Sequence, residues 1–144
     1  MTWHYRLPWN SVRWFYRWKR SRFFNHDRYE GPHYVVEHPI ERVEADLGSL
    51  SYGPHWEFSY DLDEDLNLAR IVYHDGEWWQ NHVRGYDHGD ETWLNAHWER
   101  EPTEHPRPHI KAEGLDVSKG MDILRMHLDR LYGDFDLRGW PDDV

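Results

Sequence analysis

At 144 residues the chain suits one domain around one core, and an apolar share of only 38% is offset by ten Trp, nine Tyr and five Phe, which bury large areas per residue. There is no Cys, which excludes a disulfide framework, a thiolate metal site and a thiol nucleophile; there is also no long apolar run to serve as a signal peptide or membrane span, so the expectation is a cytoplasmic protein with no membrane partner. Acidic residues number 27 against 17 Lys plus Arg, and only Lys19, Lys111 and Lys119 are lysines, a balance that fits a halophile's salty cytoplasm, although a GC-rich genome also favours Arg.

The charge is uneven along the chain. Residues 1–30 carry a net +5 and the remainder a net −15. Within this basic arm, Arg13, Trp14, Arg17, Trp18, Lys19 and Arg20 interleave aromatic rings with cations, a pattern able to stack bases and neutralise phosphates of single-stranded RNA. The same alternation also describes an edge strand whose aromatics pack on the core.

Past a Gly31-Pro32 loop, 34–38 reads as a short strand. Pro39, the helical spacing of Ile40, Val43 and Leu47, and Gly48 beyond them predict a short helix over 39–47. Alternation predicts a strand over 55–62, closed by the acidic turn 61–65. Residues 66–73 and 77–83 form the clearest unit, a hairpin about Asp75-Gly76 whose type I′ turn pairs His74 with Glu77, Tyr73 with Trp78 and Val72 with Trp79.

Residues 85–91 read as a loop. A strand over 92–99 turns Leu94, Ala96 and Trp98 inward, and after a proline-bearing connection a final strand is expected over 107–113. The C-terminal helix takes Ser118 as its N-cap, Met121, Leu124, Leu128 and Leu131 as its apolar stripe and Gly133 as its stop, and 134–144 reads as a frayed acidic tail. The sum is an α+β domain over 31–133: a meandering antiparallel sheet carrying one main helix.

If strands 92–99 and 107–113 pair, their outward faces bring His97 and Glu99 beside Arg107, His109 and Lys111. That set suits metal-independent RNA cleavage: one His removes the 2′-hydroxyl proton, the other protonates the leaving oxygen, a cation steadies the phosphate, and Glu99 orients an imidazole or acts as a base. No cofactor is needed. The same positions also read as the solvated side of a half-buried sheet. A three-His metal site from His97, His105 and His109 is a rival use, although Pro106 and Pro108 argue against placing the last two on a helix. No P-loop, dinucleotide glycine pattern or G-x-S-x-G elbow is present.

The segment His105-Pro106-Arg107-Pro108-His109-Ile110-Lys111 is similar to the H-x-P-P-H-x-H box of small proteins encoded beside toxin–antitoxin genes. Together with Phe58-Ser59-Tyr60, the hairpin, Arg84-Gly85-Tyr86-Asp87 and the terminal helix, it resembles TumE-type toxins over about residues 56–130. The chain departs from that pattern where Lys111 replaces the last His of the box and Gly85 interrupts Arg-Tyr-Asp. The resemblance implies an RNase of toxin type, with RNA as substrate and a cognate antitoxin as partner. A non-catalytic module that binds a partner or self-associates is the alternative, and a His-rich metal-binding protein a third.

Overall fold

The computed structural model describes residues 32–54 and 64–138. In chain order the elements are β1 (His33–Val36), α1 (Ile40–Gly48), β2 (Gly53–Pro54), β3 (Leu66–His74), β4 (Glu77–His88), β5 (Glu91–Arg100), α2 (Pro106–Ile110), α3 (Val117–Leu131) and β6 (Asp136–Arg138). The strands form one antiparallel sheet in the order β2-β3-β4-β5-β1-β6. The fold is α+β, as the sequence leads one to expect. The basic arm, with Arg13, Trp14, Arg17, Trp18, Lys19 and Arg20, and the expected strand over 55–62 lie outside the described residues.

One face of the sheet is the core. Tyr34, Val36, Leu66, Leu68, Val83, Leu94 and Ala96 meet Ile40, Val43 and Leu47 of α1 and Met121, Leu124 and Leu128 of α3. The apolar spacing in both helices places their buried residues on a single side, which is why each lies flat on the strands. Where α3 crosses β5 the approach is so close that a Cβ on Gly120 would fall 2.4 Å from the Cα of His97.

The β3–β4 hairpin forms with the expected register, His74 opposite Glu77, and both turn residues, Asp75 and Gly76, have positive φ as a type I′ turn requires. Four expectations are corrected. Residues 85–88 continue β4, and a two-residue Gly89-Asp90 turn leads into β5; Gly85 is tolerated in mid-strand because a Cβ there would lie 2.8 Å from that of Leu66. Residues 106–110 are a helical turn rather than a strand, since prolines at its start forfeit only N–H groups that a first turn leaves unused. The N-cap of α3 is Asp116, which adopts an extended backbone and accepts the Lys119 N–H at 2.9 Å, so Ser118 falls inside the first turn. Asp136–Arg138, read as tail, pairs with His33–Val35 as an edge strand.

Candidate functional site

The sheet face turned away from the helices is polar and still buried. Alternation sends Asn67 of β3, Gln80 and His82 of β4, and His97 and Glu99 of β5 to this face, and Asn67, Gln80, His82 and Glu99 all rank among the buried residues. Register assembles them, because His82 stands directly opposite His97, and Gln80 opposite Glu99.

Glu99 is the hub. Its Oε1 accepts from Gln80 Nε2 at 2.6 Å and lies 3.1 Å from His82 Nδ1, while its Oε2 lies 3.1 Å from His97 Nε2 and 3.6 Å from His109 Nδ1. Burial alone would raise the Glu99 carboxyl, but hydrogen bonds and positive charge from His82 and His97 outweigh it and put the group far below the usual carboxylate range. Glu99 is thus an ionised acceptor, better suited to orienting imidazoles than to removing protons.

The two outer histidines have defined proton positions. His82 Nε2 donates to Asn67 Oδ1, an amide oxygen that can only accept, and the Asn67 amide is itself oriented by donating to Glu64 Oε1 at 3.4 Å. His109 Nδ1 donates to the Arg100 carbonyl at 2.9 Å. His97 and His109 reach the surface only at their rims, with side chains 15% and 12% exposed.

Of the residues marked from the sequence, His97, Glu99 and His109 therefore come together, although the strand pairing expected to unite them does not form. The connection does so instead. Glu101, fully buried, ties the turn through Thr103 and the Glu104 N–H, and His105 Nε2 takes the Trp78 N–H at 3.0 Å, so that α2 starts against the end of the sheet. Arg107 and Lys111 stand exposed on either side of His109. With its Nε2 committed to Trp78, His105 serves as a backbone clamp. Among the described residues, the group of three or more His, Asp or Glu able to share one ion is His82, His97 and Glu99, whose ligand atoms all lie within 4.8 Å of one another.

His82, Asn67 and Gln80 escaped sequence reasoning. The signal that would have found His82 is Gly89-Asp90: a two-residue turn there fixes a register that sets residue 82 against residue 97. No protein-family model matches the chain, nor does any curated protein or solved structure.

Proposed function

We propose that the protein cleaves RNA by metal-independent acid–base catalysis at His97 and His109, with Glu99 orienting the imidazoles. One observation carries this reading: His97 Nε2 and His109 Nδ1 lie 3.1 and 3.6 Å from the same Glu99 oxygen, so these nitrogens are within about 7 Å of each other and the two rings stand together at one carboxylate, a spacing on the scale of one phosphodiester. One imidazole takes the proton of a ribose 2′-hydroxyl as its oxygen attacks phosphorus. The other gives a proton to the departing 5′-oxygen, and a 2′,3′-cyclic phosphate remains. Arg107 and Lys111 supply positive charge at the rim, where the transition state gains charge on the phosphate oxygens. The cationic, aromatic segment 1–30 supplies the affinity that an acidic body lacks.

The test is cleavage of labelled single-stranded RNA in EDTA, across potassium chloride concentrations, with the product ends identified. His97→Ala and His109→Ala should each slow cleavage by about 10²- to 10⁴-fold. Wild-type rates in His109→Ala, 3′-hydroxyl products, or no cleavage by the wild type would each end this reading.

A further inference from the structure

We infer that His82 Nδ1, His97 Nε2 and the Glu99 carboxylate form a binding site for a divalent transition-metal ion of the zinc or cobalt type. The inference goes beyond the acid–base reading, because an ion at this point would engage His97 and Glu99 and so suspend their proton chemistry.

The distances suit an ion. His82 Nδ1 is 3.1 Å from His97 Nε2 and 3.1 Å from Glu99 Oε1, and His97 Nε2 is 3.1 Å from Glu99 Oε2. In a tetrahedral site with bonds of about 2.0–2.2 Å, neighbouring ligand atoms stand roughly 3.3–3.5 Å apart. With one Glu99 oxygen as ligand, two edges of the triangle stand at 3.1 Å and need open by only a few tenths of an ångström, and all three ligand atoms lie within 4.8 Å of one another.

The donor atoms also converge. Because the Nε2 proton of His82 is committed to Asn67, Nδ1 is the nitrogen that can bind an ion, and an ion displacing the proton that Nδ1 shares with Glu99 would find its lone pair turned to the point that Glu99 and His97 also face. A hydrogen bond from the far nitrogen of a ligating imidazole to a protein acceptor is the usual support of a metal-binding His. Gln80 fills the corresponding role for Glu99, donating to Oε1 at 2.6 Å. The donor set is thus supported from outside on two of its three members.

The donor set is rigid and of the right chemistry. His82 is fully buried and all three ligands sit on paired, central strands, so the triangle is set by the sheet rather than by a loop. Two imidazoles and one carboxylate suit zinc, cobalt, nickel or iron; magnesium and calcium favour oxygen ligands throughout. A three-ligand set leaves a coordination position for water or a substrate oxygen, and His109 Nδ1 stands 3.6 Å from Glu99 Oε2.

The test is cobalt(II) titration of the full chain, read by visible absorption and calorimetry, with no RNA present. One equivalent should produce the intense visible bands of a tetrahedral or five-coordinate ion, zinc should displace it, and excess magnesium should not. Glu99→Gln and His82→Gln should abolish the bands. Asn67→Ala, which removes a positioning residue and no ligand, should weaken affinity by about 10- to 100-fold, whereas His74→Ala, an exposed imidazole, should change nothing. Circular dichroism of each variant separates lost ligands from lost folding, and a variant that unfolds is replaced by His97→Asn. Octahedral-type weak bands only, or bands that persist in Glu99→Gln and His97→Asn, would overturn the site. RNA cleavage is scored separately in EDTA, so each proposal can fail alone.

Discussion

His127 shows how much a single buried side chain can report. It lies on the buried side of α3, where its Nδ1 shares a 2.8 Å hydrogen bond with the Tyr52 hydroxyl, and that oxygen also accepts from Asn81 Nδ2 at 3.0 Å. Burial, with Arg70 and Arg130 nearby, lowers the His127 pKa from its ordinary value, and burial pushes the Tyr52 hydroxyl up to about 12. Above its ordinary pKa, His127 is neutral whether the chain is folded or not. As pH falls below that value the unfolded chain takes up a proton that the folded one resists, so stability declines until the folded pKa is reached. Chemical denaturation from pH 7.5 to 5 should show this loss, and His127→Gln should flatten it; an unchanged slope in the variant would place the pH dependence elsewhere.

At the scale of elements, α3 depends on its first turn. Asp116 caps the helix through its carboxylate, and its backbone exchanges 2.9 Å hydrogen bonds in both directions with Trp98 of β5. Asp116→Ala should therefore cost about 1 kcal/mol, the usual worth of a lost N-cap, measured as a shift in denaturant midpoint at constant slope. A cost near zero would show that the backbone bridge alone fixes this end.

The elements also show what the residues made legible. Asp75-Gly76 announced its hairpin and register because few dipeptides accept two successive positive φ values, and α1 and α3 announced themselves by spacing. Gly89-Asp90 was masked by Gly85, which reads as a loop residue until the Leu66 side chain pressing on it is known. The prolines of 106–110 read as breakers in the sequence, whereas at the head of a one-turn helix they cost nothing. His97, Glu99 and His109 were legible as a chemically coherent set close in the chain. His82 and Asn67 were not, because their place depends on the registers of two hairpins at once.

For the whole molecule the deciding quantity is charge, a formal net of −10 at pH 7. Self-repulsion of that size is long-ranged in dilute buffer and is confined to about 3 Å at 1 M salt. If the composition is an adaptation to salt, the melting temperature should climb steadily from 0.1 to 2 M potassium chloride. A flat or falling curve would reduce the Arg preference to a matter of codon usage. RNA binding through cations would run the other way, weakening as salt rises.

The absence of a side chain at Gly120 gives the two faces of the sheet a common wall. At Gly120 the α3 backbone closes directly on the backbone of His97 and Trp98. A strand held that way has little room to yield backwards, so whatever presses on His97 from the polar face is met by the helix. Selection on core packing and selection on site chemistry then fall on the same few atoms, and drift in one is constrained by the other.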